Sequence, residues 1–516
     1  MNNIPAVFRS FIIYALCVVL AIWLGFLLAT PLTYSQLTIY GLLAFILIFP
    51  VLLRWHYPLL LLSWNMAAEV FFLPGRPYLC LVMVAFSLGI SVLQRMINKE
   101  SRFISAPQIT LPLLCMVVVI VFTAKMTGLG LHAFGSDIYG GKKYVYLVGG
   151  ILGYFALSAR RIPLKRKNLY IGLYFLGGVT AFLGDLMPIM PHPLYFIYWV
   201  FNPNFYALSP GDTTRLSGAR TVATAVLSFM LARYGLRGIF LSRKPSRWLT
   251  FLLFSFYGLF GGFRGFIVSF VLLFAFLFFL EGLHRTKWLP VALFSGILGA
   301  IALIPLSSHL PYTFQRALTF LPYKVSTEAR LDAQGSWDWR VQMWQALLPQ
   351  VPNYLLLGKG YVISTLDYEF VMGRGAAVQQ TFAQDQAAAL AEDFHSGPLS
   401  VTIPLGIWGD LVFLWFLVAG IRALYFNYRY GDPALQTVNA FLFAAFVAQI
   451  IFFMLFYGDL SSDMLKFTGL LGLGVALNGG VRRRVHAVKP VPQPQKIGNF
   501  TRLPPSPTPA FQRRRQ

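Results

Sequence analysis

The sequence predicts an all-α, polytopic integral membrane protein with about 12–14 transmembrane helices and one large helical loop on its outer side. Composition points there first: 57% of the 516 residues are hydrophobic, 12% are charged and the mean hydropathy is +0.64, a balance that soluble domains of this size do not reach. The apolar residues are also gathered into runs, many near the roughly 20 residues a helix needs to cross a bilayer. Finally, the basic residues behind the net charge of +24 lie in short connections between those runs, as orientation signals do, so no nucleic-acid partner is implied. Cys17, Cys80 and Cys115 fall inside apolar runs without CxxC or Cys/His spacing, so neither a disulfide framework nor a zinc site is expected.

In chain order, residues 11–29 form a first span without a small-x-small cleavage pattern, expected to be uncleaved. Further runs occupy residues 37–53, 59–73, 78–92, 109–124, 144–157, 169–187, 221–231, 248–260, 266–280 and 288–306. Three more, at 401–424, 438–456 and 464–477, follow the large loop. The chain therefore divides into spans over 1–306, an outward loop with amphipathic helices over 307–400, the last three spans over 401–480 and a tail over 481–516. That tail carries RRR near both ends and seven prolines, cannot bury a core and is expected to be disordered.

Short inward loops are enriched in Lys and Arg. With both termini inside, alternate connections hold Arg54, then Arg95 to Arg102, the 160–167 group, the 233–247 group, Arg285 and Lys287, and Arg422 and Arg429. Together with Arg9 and the tail they place 28 of the 42 basic residues inside. The same assignment leaves the 310–400 loop outside, and with it Arg215, Arg220, Arg264 and Arg340.

Two outward connections are too long to be turns. The first carries MPIMPHPLYFIYWVFNPNFY and then TTRLSGAR, aromatic rings suited to an interface or a sugar, followed by Arg215 and Arg220. In the second, DWRVQMWQALLPQ suggests an amphipathic helix capped by Asp338, with Val341, Trp344, Leu347 and Leu348 on one face. AAVQQTFAQDQAAALAED suggests another, delivering His395 to the start of a span, so the loop is expected to form a lid over an outward cavity. Arg264 stands in GGFRGF between two short runs. A charge at the bilayer centre costs roughly 2.5–3.5 kcal/mol, so the chain is expected to fold there as a hairpin with Arg264 near the outer surface, the alternative being an acid-paired arginine with Glu69 or Asp185 as partner.

Arg215, Arg220, Arg264 and Arg340 on one face, beside a histidine, suit a multiply charged anion such as a diphosphate. No DxD or carboxylate cluster with metal spacing stands near them, so no metal and no cofactor are expected, and fixed guanidinium groups would supply the electrostatics. His395, in AEDFHSGPLSVTIPLGIWGD, is the candidate general base: histidine is the side chain whose ordinary pKa lies nearest neutrality, and Glu392 or Asp393 could orient it. The competing role is a simple hydrogen bond to a substrate. His132, His192 and His309 are the other outward histidines, and Glu392, Asp393 and Asp410 the carboxylates a metal would use.

The order of an outward RxxG (Arg215 to Gly218), GGFRGF, WRVQMWQALLPQVPNYLLLGKGY and HSGPLSVTIPLGIWG resembles the O-antigen ligase and polysaccharide polymerase superfamily over about residues 212–424. Members often show Asn after the histidine where Ser396 stands here, so nothing is assigned to that neighbour. The resemblance implies a metal- and nucleotide-independent glycosyltransferase of the bacterial inner membrane. It would act at the periplasmic face on an undecaprenyl diphosphate-linked glycan donor, with a lipid A core sugar, another glycan repeat or a protein as acceptor. Two other classes remain: a lipid-linked oligosaccharide transporter, which would carry its basic groups along an internal path, and a non-catalytic scaffold of polysaccharide export.

Overall fold

In a bilayer interior every backbone N–H and C=O must find its partner within the protein, and the apolar runs of this chain do so as helices. The computed structural model describes residues 34–98, 103–130, 139–203, 205–206, 215–319, 324–363 and 393–482, and Val18. Before the large loop these form α1 (Tyr34–Ser63), α2 (Leu79–Ile97), α3 (Pro107–Thr127), α4 (Lys142–Ser158) and α5 (Lys167–Leu176), which continues through the 3-10 turn Gly177–Ala181 into the short α6 (Phe182–Asp185). There follow α7 (Ser217–Phe240), α8 (Pro245–Tyr257), α9 (Arg264–Leu280) and α10 (Trp288–Leu306). The loop holds α11 (Tyr312–Ala317), α12 (Thr327–Leu347) and α13 (Val351–Tyr354), and the chain ends in α14 (Gly397–Tyr430), α15 (Gln436–Leu455) and α16 (Leu460–Asn478). A two-residue antiparallel pair, β1 (Phe205–Tyr206) with β2 (Arg215–Leu216), sets Tyr206 opposite Arg215.

Among the described residues eight helices are long and apolar enough to cross a membrane, α1, α2, α3, α7, α10, α14, α15 and α16, with α9 a shorter apolar helix. The protein is an all-α, multi-pass membrane protein. The first expected span (11–29), the second loop helix (376–393, all but its last residue) and the tail beyond Arg482 lie outside the described residues.

The expected runs 37–53 and 59–73 are joined without a loop, because helical bonding continues through Pro50 and Pro58 to Ser63. The chain nevertheless reverses at RWHY: Gly41 stands against the Phe72 ring and Phe49 meets Phe86 with centroids 5.8 Å apart, while Tyr57, between them, donates to the Leu157 carbonyl at 2.8 Å at the opposite end of the bundle. The polar RWHY interval is also satisfied by His56 Nδ1, which meets Ser87 Oγ at 2.9 Å, and beyond Ser63 the Glu69 N–H bonds the Val200 carbonyl at 2.8 Å. Arg54 lies at this reversal, in keeping with its place among the connections.

The helix ends form two separate sets of contacts. At one, Ile162 N–H bonds the Ala476 carbonyl at 2.9 Å, Asn439 and Asn478 are joined at 2.8 Å, and Glu281 accepts from the Leu236 and Arg237 amides at 2.7 and 2.9 Å. At the other, Asp185 accepts from the Gly218 amide at 3.0 Å, Tyr144 Oη from the Tyr361 amide at 3.2 Å, and Ser400 Oγ from the Leu460 amide at 3.1 Å. These are the two groups of connections that the charge count separates. The arginine-poor end carries the loop.

There α14 is interrupted. Gly406 takes φ 65°, a left-handed value glycine adopts without strain, so the helical bonding stops near Pro404. The carbonyls released there are not left bare: Ile403 accepts from the Lys359 amide at 2.7 Å and Pro404 from the Gly360 amide at 3.0 Å, while Ile407 N–H reaches the Leu355 carbonyl at 2.6 Å. The GKGY stretch of the loop thus acts as a backbone splint for a broken span. By contrast α10 has none of its residues buried, and α16 is 78% buried, with Gly469 so close to Trp64 that a Cβ there would come within 2.3 Å of its Nε1.

Candidate active site at the arginine-poor end

The site begins with a hairpin. α8 tightens into the 3-10 turn Gly258–Gly261, Gly262 takes a left-handed φ of 66°, and α9 starts at Arg264, which places that arginine at the helix end, as GGFRGF suggested. The Gly262 carbonyl accepts from Arg316 Nη1 at 3.0 Å, and Arg316, 8% exposed, is neutralised by Asp332 on α12, which also accepts from the Tyr312 hydroxyl at 3.0 Å. Arg264 Nη2 donates to the Ala333 carbonyl at 3.0 Å. Two adjacent residues of α12 are therefore tied to the hairpin.

That docking corrects the expected start of the loop helix. α12 begins at Thr327, capped by Ser326, whose Oγ accepts from the Ala329 amide at 3.3 Å; Asp338 is interior and Leu348 exposed. The longer helix presents Arg340 toward the hairpin and α15–α16 connection. Burial, then the nearby Arg264 charge, push the Arg340 guanidinium below its usual range; Tyr457 acts against this, Arg316 with it, and Asp393 against it. Among the described residues neither Arg264 nor Arg340 forms an ion pair, and Arg340 Nε is buried without a partner. Arg220, in the first turn of α7, lies over the Phe263 ring with its guanidinium carbon 4.3 Å from the centroid. Asp185 holds that turn through the Gly218 amide. Arg215 lies on β2, and its side chain is outside the described residues.

His395 arrives from the other side. Phe394 is buried with Met343, Leu347 and Ile403, and Trp344 Nε1 donates to its carbonyl at 2.8 Å, so α12 pins the residue preceding the histidine. His395 itself adopts φ 50°, a conformation costly for a residue with a Cβ and one that persists only where its surroundings enforce it. Its Nδ1 lies 2.8 Å from Asp393 Oδ1 and 3.1 Å from the Asp393 carbonyl oxygen. Trp339 and Tyr457 meet the ring edge to face, each with centroids 5.0 Å away. Burial works to raise the Asp393 carboxyl, but the hydrogen bond and charge of His395, with Lys143 nearby, outweigh it and hold the acid below the usual range. Of the two carboxylates expected to orient His395, Asp393 does so; Glu392 is outside the described residues.

Arg340 and His395 thus both meet Tyr457, whose phenol feels the Arg220 charge as well, and the Arg264 charge is felt at Arg340. Burial first, then Asp393, Asp459 and Asp463, drive the Tyr457 pKa upward and keep it a neutral donor. The other histidines are elsewhere or undescribed: His192 is exposed and stacked on Tyr195, His309 is exposed in a turn after α10, and His132 is outside the described residues. Asp410 accepts from Thr402 within α14. Tyr457, Trp339 and Arg316 are the site residues that the sequence did not single out. An aromatic residue immediately after a span, in the FYGD connection at the same end as the large loop, was the available signal for Tyr457.

No protein-family model matches the chain, and no curated protein does. Beside Arg220 a crevice of about 360 Å³ opens between α5, α7, α9, α15 and α16. Arg220, Gln449 and Lys466 stand toward its outer end; Phe266, Phe270, Leu273, Phe441 and Leu470 line its depth. The wall from Arg220 to Ser228 descends about 12 Å at 1.5 Å per helical residue. A ligand with an anionic head and an apolar tail matches this gradient.

Proposed function

We propose that this protein is a membrane glycosyltransferase of the O-antigen ligase type, which passes a glycan from an undecaprenyl diphosphate carrier to an acceptor at the periplasmic face of the bacterial inner membrane. The observation that carries this reading is the gathering of Arg220, Arg264, Arg340 and the His395–Asp393 pair at one end of the bundle, where Arg220 also lines an apolar crevice between the helices. The tail after α16 is cytoplasmic in this reading, because basic connections mark the opposite end, and the N-terminus is placed there as well.

With Nδ1 turned to Asp393, the neutral imidazole keeps the lone pair on Nε2. An acceptor hydroxyl attacks the anomeric carbon from the face opposite the diphosphate and gives its proton to Nε2. The C1–O bond to phosphate breaks, and the electron pair leaves on the lipid diphosphate, whose growing charge is met by the guanidinium groups. The product is inverted at C1. No cation is needed in this scheme, since the arginines are built into the scaffold before the reaction begins.

A polymerase would use the same chemistry with a second lipid-linked repeat as acceptor, in place of a lipid A core sugar. A transporter is less well matched, because Arg264, bonded to α12, and Arg340, on α12, gather at one end instead of lining a path through the bundle. The deciding measurement mixes purified protein with an undecaprenyl diphosphate-linked glycan and, separately, lipid A core or unextended repeat. Sugar gained by the core marks a ligase and sugar gained by the repeat a polymerase. No transfer to either, with the lipid moved across vesicles, would refute the enzyme.

A further inference from the structure

A second cavity, of about 500 Å³, lies beside Arg264 on the flank of α12 and is lined by Thr319, Arg330, Ala333, Gln334, Trp337 and Asp338 as well as Arg264. The residues that α12 contributes to its polar wall, Arg330, Gln334, Trp337 and Asp338, follow one another at i, i+4, i+7 and i+8, a single stripe of the helix. The lining differs in kind from that of the crevice below. Three of these four side chains are charged or carry an amide, and all four are exposed to solvent.

Trp337 is 53% exposed, on a helix of mixed polar and apolar residues in the large loop. Trp344 meets it nearly at right angles (86°, centroids 6.0 Å apart), a contact that braces the ring against α12. An aromatic face beside a carboxylate, an amide and a guanidinium is the arrangement that takes a pyranose: ring C–H groups lie on the indole, and hydroxyls are shared among oxygen acceptors and N–H donors. The alternatives fit worse. A phosphate would face the Asp338 carboxylate, and an isoprenoid tail would strip water from four polar groups with nothing in return.

We propose that this cavity is the saccharide subsite of the donor, holding the first sugar beyond the diphosphate. The inference rests on the donor reading given above and adds where its glycan lies. Arg264 belongs to both places: it is one of the cationic groups of the diphosphate site and also a wall of this cavity, so a ligand with its diphosphate there has its adjoining sugar within reach of Trp337. The spacing is held by the scaffold, because Arg264 bonds the Ala333 carbonyl and Asp332 pairs with Arg316 one residue earlier on the same helix. The subsite and the hairpin therefore form one rigid unit.

The test measures binding of two probes to the full-length protein in detergent: undecaprenyl diphosphate, and the same lipid carrying a single N-acetylglucosamine. Trp337→Ala and Asp338→Asn should each weaken the sugar-bearing probe about tenfold while leaving the sugar-free lipid unchanged, and Trp337→Phe should keep most of the difference. Equal affinity of the wild type for both probes, or equal loss of both in Trp337→Ala, would overturn the subsite and leave the donor reading intact. Wild-type protein that binds neither probe would overturn both. A variant that binds the sugar-bearing probe normally and is impaired only in acceptor KM would move the cavity to the acceptor and refute its assignment to the donor.

Discussion

His395 Nδ1 lies 2.8 Å from Asp393 Oδ1, and this contact decides which ring nitrogen remains for chemistry. Nδ1 faces two acceptors, that carboxylate and the Asp393 carbonyl at 3.1 Å, so a neutral imidazole keeps its proton on Nδ1 and exposes a basic Nε2. Nothing else in the neighbourhood takes that nitrogen among the described residues, while the ring is walled by Trp339 and Tyr457.

His395→Ala should therefore lose at least about a hundredfold in kcat, within the range general-base catalysis contributes, while still binding undecaprenyl diphosphate-linked donor. Single-turnover transfer and donor binding, measured on the same preparation, separate the two effects. Near-normal kcat, or failure caused only by lost donor binding, would remove His395 from its role as base.

Asp393 supplies a pH signature. Its carboxyl is held below the ordinary value of about 3.9, so the folded protein binds fewer protons there than the unfolded chain does. The contribution to stability is present above the ordinary carboxylate pKa and disappears as pH falls through the depressed one. Thermal unfolding of wild type and Asp393→Asn in detergent should differ near neutrality and converge in strong acid, with a gap that widens toward low pH as the contrary result.

Arg264→Lys keeps the charge but not the planar fork. A guanidinium can hold the Ala333 carbonyl with one nitrogen and a phosphate with others, whereas an ammonium on a shorter reach cannot do both in the same geometry. Transfer should fall by about tenfold or more in kcat/KM at normal expression. Saturating chelator should leave wild-type transfer unchanged; restoration of a chelator-sensitive activity by one divalent ion would show that the arginines do not carry the electrostatics alone.

Topology follows from the separation of the two helix ends. A reporter fused after Lys359, whose amide splints the α14 break, should read as periplasmic, and one fused after Val488 as cytoplasmic. The reverse at either position would turn the whole site over.

Hydropathy is a property of neighbouring residues in one dimension, which is why most spans, the hairpin at Arg264 and the place of His395 at the start of a span were legible in the sequence. The exceptions depend on distant partners. RWHYP was legible as a break between two runs, but nothing local announces that Ser87 and the Leu157 carbonyl wait for His56 and Tyr57. The start of α12 was hidden in TEARLDAQGSW, a stretch without apolar periodicity whose anchors are Arg316 and Arg264, on other elements. Tyr457 is separated from His395 by two long helices in the chain, and only the return of the bundle to the same end brings their rings together.

Two spans of this protein live under different rules of inheritance. α16 threads glycines past Trp64, Tyr174 and Leu157, so its lineage must preserve shape residue by residue. Among the described residues α10 has no buried side chain, and a bilayer asks of such a span only apolar character, indifferent to which side chain provides it. Descendants of this sequence should drift freely along α10, exchanging Leu, Ile, Phe and Val without consequence, while α16 stands nearly still.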